Sequence, residues 1–201
     1  MFHVRRMIEM DSKRVKFITS NKHKFEEVRV LFEKKSSSIE LSWIKLRYPE
    51  LQGNSLAEIA IGSLGTVLSA LTTERNEYYF LEDAGLFINV LKGFPGPYSS
   101  YVFETLGWEG ILSLLNGKKD RNAEFRSVCA VYYDGEIRTF TGTIKGRISS
   151  QGRGKQGFGF DPIFVPEGAN ETFAEMSIEE KNRFSHRVRS VSLMIDWVLA
   201  S

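Results

Sequence analysis

Val15 to Ile18 is a short, strand-like run that ends in the polar triplet Thr19-Ser20-Asn21. Beyond it Phe25, Val28, Leu31 and Phe32 return at helical spacing, so the pattern predicts strand, polar turn and helix. Ile39, Leu41 and Trp43 alternate with polar residues, the period of a half-buried strand, and Leu46 to Gly53 with its Pro49 reads as a loop. Ser55-Leu-Ala-Glu58 matches a capping box, and Leu56, Ile59, Leu64, Val67, Leu68 and Leu71 extend it as a helical stripe.

Tyr78 to Leu81 is a compact apolar strand leading into Glu82-Asp83-Ala84-Gly85, and Leu86 to Leu91 reads as a further strand. This predicts two carboxylates at a strand end. Gly93 to Pro97 is a rigid turn, and Trp108 to Leu115 a short helix closed by Gly117. Ala123 to Asp134 and Glu136 to Lys145 form a hairpin around Asp134-Gly135. The glycines between Gly146 and Gly159 predict a flexible loop before a strand at Ile163 to Val165. Ser177-Ile-Glu-Glu180 caps a short helical turn, and Val188, Val191, Ile195 and Val198 stripe the last helix. Helices alternate with strands early and hairpins dominate late, so the expected class is α/β with α+β character, built on a mixed sheet.

A chain of 201 residues, 42% hydrophobic and 26% charged, supports one sizeable core. Residues 1–14, charged and methionine-rich, read as an N-terminal extension, and residues 15–201 as a single domain. The net charge of +2 is too small for wholesale binding to nucleic acid or membrane, so anion recognition must come from local clusters. Cys129 is the only cysteine, which excludes a disulfide framework and a cysteine-built metal site. No apolar run is long enough to span a bilayer, and the expected location is cytoplasmic.

Candidate chemistry gathers in four places. Thr19, Ser20, Asn21, Lys22, His23 and Lys24 lie between a strand and a helix, where free N–H groups and the helix dipole attract phosphate, although a solvated helix start has the same look. Glu82 and Asp83 offer hard oxygens for Mg2+ or a base for water. Phe158, Gly159, Phe160 and Asp161 combine aromatic faces with an acceptor, as nucleobase stacking requires. Lys181, His186 and Arg187 supply donors around a helix start.

Taken with Tyr48-Pro-Glu50, Gly93-Phe-Pro-Gly-Pro-Tyr98, Thr172-Phe-Ala-Glu-Met176 and Ser185-His-Arg187, these segments resemble the inosine triphosphate pyrophosphatases, from Val15 to Leu199. The resemblance implies a long central mixed sheet flanked by helices, two lobes with a cleft between them, and a homodimer. It implies hydrolysis of ITP, dITP or XTP to the monophosphate and pyrophosphate. By the same resemblance residues 19–24 bind the triphosphate, Glu50 and Asp83 hold Mg2+, and Asp83 is general base for water. Phe158 to Asp161 clasp base and sugar, and Lys181, His186 and Arg187 complete the substrate contacts, Lys181 towards phosphate and the other two towards the purine edge. Two positions depart from the family pattern. Ala84 stands where serine is usual, and Phe160 where tyrosine or tryptophan is usual. Ala84 leaves open a nucleotide-binding module without catalysis. The basic strip from Lys181 to Arg189 would suit a nucleic-acid-binding domain, against which the modest net charge and the acidic pair argue.

Overall fold

The computed structural model describes residues 12–35, 38–49 and 51–201; residues 1–11 of the expected extension and Glu50 of the expected metal pair lie outside them. Strand β1 (Lys13–Ile18) is followed by α1 (Lys22–Lys35), β2 (Ile39–Ile44), α2 (Leu56–Ala70) and the long β3 (Glu77–Ile88). Then come α3 (Ser99–Leu114), the hairpin β4 (Asn122–Tyr133) and β5 (Glu136–Ile148), the short β6 (Phe164–Pro166), α4 (Ile178–Phe184) and α5 (His186–Ala200). One mixed sheet runs in the order β2-β1-β3-β4-β5-β6. Its β2-β1-β3 half is parallel and the remaining neighbours are antiparallel, the mixed α/β arrangement expected. No helix among the described residues is long and apolar enough to cross a membrane.

Local chemistry sets the boundaries. Asp134 (φ 47°) and Gly135 (φ 88°) both take the left-handed conformation that a two-residue hairpin turn requires. The Ser55 hydroxyl accepts the Glu58 N–H at 3.2 Å and starts α2. Ser177 and Glu180 cap α4 reciprocally, and Ser185 caps α5 immediately after α4 ends.

The apolar stripes pack where the sequence pattern aims them. Val28, Leu31 and Phe32 of α1 join Val191, Met194, Ile195 and Val198 of α5 against Phe17 and Phe80 on one sheet face. Leu56, Ala60, Leu64 and Val67 of α2 cover Tyr79, Leu81 and Val128 on the other. A further cluster gathers Leu86, Ile88, Phe125, Ile144 and Phe173 with Val102 and Ile111 from α3. Each fully buried Leu, Ile or Phe contributes roughly 1.5–3 kcal/mol.

Three expectations are corrected. Glu82 and Asp83 do not stand at a strand end, because β3 runs unbroken from Glu77 to Ile88. Pairing with β4 continues through both residues, and alternation sends their side chains to opposite faces. Helix α3 begins at Ser99, not Trp108, and bends at Gly107 (φ 64°). Its first turns carry no buried stripe, since Tyr101 (59% exposed) and Leu106 (50%) face outward. The glycine-rich segment is not a flexible loop. Its first residues belong to β5, and beyond them the Lys155 and Gln156 N–H groups both donate to the Ala174 carbonyl at 3.0 Å. Arg153 meets Glu175 at 3.0 Å in the same turn.

The sheet also creates an opening. β1 pairs with β3 only from Glu77 to Phe80, so beyond Leu81 that edge of β3 is left to loops at the carboxyl ends of β1 and β2. Open α/β sheets bind ligands in such a crevice.

Gly142 of β5 lies beneath the start of α5, where a Cβ would stand 2.1 Å from the His186 carbonyl oxygen and 2.5 Å from the Ser190 nitrogen. Gly142→Ala is therefore expected to cost about 1–3 kcal/mol by overpacking. Gly65→Ala, on the exposed side of α2 with nothing within 4 Å, is expected to add about 0.5–1 kcal/mol through helix propensity. Urea unfolding of the two variants reads both signs.

Candidate active site

The crevice is a cleft of about 880 Å³. Thr19, Ser20, Asn21 and Lys24 line one part of it, and Asp83 and Ala84 the exposed stretch of β3. Phe158, Gly159, Phe160 and Asp161 face them, with Lys181, His186 and Arg187 completing the wall. Lys22 and His23 are exposed on the first turn of α1 and do not line it. His23 instead stacks near Phe158, ring centroids 5.5 Å apart at 21°.

The turn into α1 is held by its own side chains. Thr19 Oγ1 accepts the Asn21 N–H at 3.1 Å, and Asn21 Oδ1 accepts the Lys24 N–H at 3.2 Å. Lys24 then points inward, its ammonium 3.0 Å from Glu82 Oε2 and donating to the Glu82 carbonyl at 2.9 Å.

Behind the cleft wall the charges interlock. Lys181 Nζ lies 2.7 Å from Glu27 Oε1 and 2.6 Å from Asp161 Oδ2. Arg187 pairs with Glu27 through Nη1, and its Nε lies 3.1 Å from Glu82 Oε2 without an aligned hydrogen bond. Ser127 donates to Glu82 Oε1 at 2.6 Å and lies 2.8 Å from the Ser190 hydroxyl. Lys181 and Arg187 are thus buried ion-pair partners, and the ammonium expected to face phosphate is already held between two carboxylates.

Burial alone would push Glu27 up, but Lys181 and Arg187 together hold it down at about 2. Glu82, equally buried, is held below the usual carboxylate range by Arg187 and Lys24. Asp161 goes the other way: burial and the neighbouring Glu27 raise it despite Lys181. Burial, with Arg187 alongside, keeps His186 well below the ordinary imidazole value, so the ring is neutral. It stacks on Phe125 at 4.7 Å, and its buried Nδ1 has no hydrogen-bond partner among the described residues.

The aromatic wall depends on Gly157. Its φ of +73° is left-handed, and a Cβ would stand 2.1 Å from Asp161 Oδ2. That oxygen accepts the Phe158 N–H at 2.9 Å while pairing with Lys181. Lys181 and Arg187 both lie over the Phe158 ring, at 5.1 and 5.5 Å from its centroid, so the ring is fixed by cations on a rigid mount. Phe160 is 3% exposed and meets Phe103 edge-on at 5.5 Å, so most of this side chain packs in the core.

The sequence profile of the Ham1 family matches residues 15–197. The chain belongs to the Ham1 family. It is 49% identical over 185 residues to the dITP/XTP pyrophosphatase of Thermococcus kodakarensis, covering 92% of this chain and 97% of that one. It is 47% identical over 182 residues to the dITP/XTP pyrophosphatase of Pyrococcus horikoshii, covering 90% and 95%. Among solved structures, a HAM1 protein from Coxiella burnetii aligns with a TM-score of 0.77 at 25% identity, over 94% of this chain and 99% of that one. The Staphylococcus aureus Ham1 protein aligns at 0.73 and 28% identity, over 92% and 98%.

In this Ham1 chain Asp83 is the half-buried carboxylate on the cleft side of β3, and its Oδ1 accepts the Ala84 N–H at 3.0 Å. Among the described residues no group of three or more His, Cys, Asp or Glu gathers into a metal cage. Mg2+ does not need one, since it keeps several waters and is held by one or two carboxylates with substrate phosphates. Asp83 fits that donor set. Sequence reasoning missed Glu27, Ser127, Ser190 and the cleft residues Arg47, Phe103 and Glu104. Glu27 had a signal: it sits four residues before Leu31 on the apolar face of α1, where a carboxylate needs a buried partner.

Because the folded value of Glu27 lies below its ordinary 4.5, its stabilising contribution is complete above about 4.5 and lost as pH falls towards about 2. Glu27→Gln removes the one carboxylate that Lys181 and Arg187 share. It is expected to cost about 3–5 kcal/mol at neutral pH and to flatten that acid limb. Thermal melts of both proteins down the pH range check the two effects.

Proposed function

We propose that this chain hydrolyses purine nucleoside triphosphates bearing an oxygen at C6, dITP, XTP and ITP, to the monophosphate and pyrophosphate. The observation that carries the reading is one cleft in which a half-buried aspartate faces an aromatic, cation-backed wall. Relatives named dITP/XTP pyrophosphatases, matched over nearly their whole length, support it.

In this reading the base lies against Phe158 and the triphosphate runs towards Thr19, Ser20 and Asn21. Asp83 takes a proton from water as the water oxygen bonds to the α-phosphorus and the bond to the β-phosphate bridging oxygen breaks. Asp83, with Glu50, would hold Mg2+, which when bound supplies positive charge against the nonbridging oxygens. In the same reading neutral His186 and the Arg187 guanidinium, which line the cleft, would offer donors to a 6-oxo group. A 6-amino group would point its own hydrogens at them, and a site built on such hydrogen bonds discriminates strongly when they are lost. The homodimer implied by the resemblance is supported by Tyr98, Tyr101 and Leu106, which expose apolar surface around the start of α3.

Pyrophosphate release from dITP, XTP and dATP with Mg2+ tests the reading. Turnover of dITP and XTP is expected, and equal turnover of dATP would overturn it. Asp83→Asn is expected to cut kcat by about 10²–10⁴-fold, the range for loss of a general base, while nucleotide binding persists in calorimetry.

A further inference from the structure

A triphosphate is a polyanion, yet the cleft offers little unpaired positive charge. Its lining cations are Lys24, Arg47, Lys181 and Arg187, and its lining carboxylates Glu82, Asp83, Glu104 and Asp161. Three of the cations are already neutralised: Lys24 by Glu82, Lys181 by Glu27 and Asp161, and Arg187 by Glu27 and Glu82. Arg47 is exposed and, among the described residues, is the one lining cation without an ion-pair partner.

The strand that leads to it is tied to the turn before α1. Arg47 follows the end of β2, where the Thr19 N–H donates to the Ile44 carbonyl at 3.1 Å and the Trp43 indole N–H donates to the Thr19 carbonyl at 2.8 Å. The strand end that leads to Arg47 and the segment Thr19 to Asn21 therefore form one tied rim. Pro49, two residues on, fixes its own φ and restricts Tyr48, which limits the paths the chain can take after Arg47.

We infer that Arg47 is a substrate-binding residue that grips the outer phosphates of the nucleotide, the pyrophosphate that leaves. The assignment rests on the proposed function for the identity of the nucleotide, but not for the anion it recognises. A planar guanidinium suits this role because it binds phosphate oxygens in pairs. Placed on the leaving pyrophosphate, it would strengthen binding and also take up charge that grows on the leaving group as the bond breaks.

Wild type, Arg47→Ala, Arg47→Lys and Lys45→Ala test this by calorimetry with pyrophosphate, dIMP and α,β-methylene-dITP, and by steady-state kinetics on dITP. Lys45 is an exposed cation two residues away that does not line the cleft. Arg47→Ala is expected to weaken pyrophosphate and the analogue about tenfold and to raise KM similarly. Its dIMP affinity stays near wild type, Arg47→Lys recovers part of the loss, and Lys45→Ala changes nothing. Pyrophosphate and analogue affinities within about twofold of wild type in Arg47→Ala would overturn the assignment, as would an equal loss in Lys45→Ala. If wild type binds pyrophosphate but does not turn over dITP, the proposed function fails while the pyrophosphate arm still decides the role of Arg47.

Discussion

The cleft depends on a buried exchange of charge among Glu27, Glu82, Asp161, Lys24, Lys181 and Arg187. These groups come from α1, β3, the turn before β6, α4 and α5, so elements remote in sequence are locked by the same contacts. A buried pair is weak as a source of net stability, because desolvation offsets most of the Coulomb gain. Its value here is geometric. Removing any member leaves an uncompensated charge in the interior, so the only low-energy arrangement is the one that also sets Phe158, His186 and Arg187 around the cleft.

Backbone geometry makes that network possible. Alternation along unbroken β3 sends Glu82 to the α5 face and Asp83 to the α2 face, so adjacent carboxylates do different work. Glu82 is neutralised and inaccessible, and Asp83 keeps its place on the cleft. Gly142 lets α5 descend onto β5, and Gly157 admits the Asp161 carboxylate under the Phe158 mount. Both glycines act by what they lack, and a methyl at either would shift the side chains that define the wall.

Much of this was legible in the sequence. The caps at Ser55 and Ser177, the Asp134-Gly135 turn and the stripes of α2 and α5 are local signals, and local signals survive folding. The unbroken β3 was not legible, because two acids in an apolar run look like a boundary until the buried partners of Glu82 are known. The first half of α3 escaped for the opposite reason, since its large apolar residues face outward and leave no stripe. The segment Gly146 to Gly159 read as flexible from its glycines, whereas beyond the end of β5 its order comes from long-range contacts with the turn at Thr172 to Glu175, and a partner that distant in sequence leaves no local signal. Within the site, residue types pointed to an anion, but only three-dimensional pairing separates Lys181, already neutralised, from Arg47.

Ala84 remains the departure that bears on catalysis. Its cross-strand neighbour is Ser127, on the same sheet face, so a hydroxyl lies close by. That hydroxyl does not replace the missing one, because it is held between Glu82 and Ser190 and belongs to the charge network. The cost of Ala84 is therefore bounded by one hydroxyl hydrogen bond to a charged partner, about 1.5–3 kcal/mol, which corresponds to roughly a ten- to two-hundredfold change in rate. A loss of that size slows a reaction without abolishing it. With Asp83 retained on the cleft, Ala84 alone gives no physical ground for reading the chain as a binding module without catalysis.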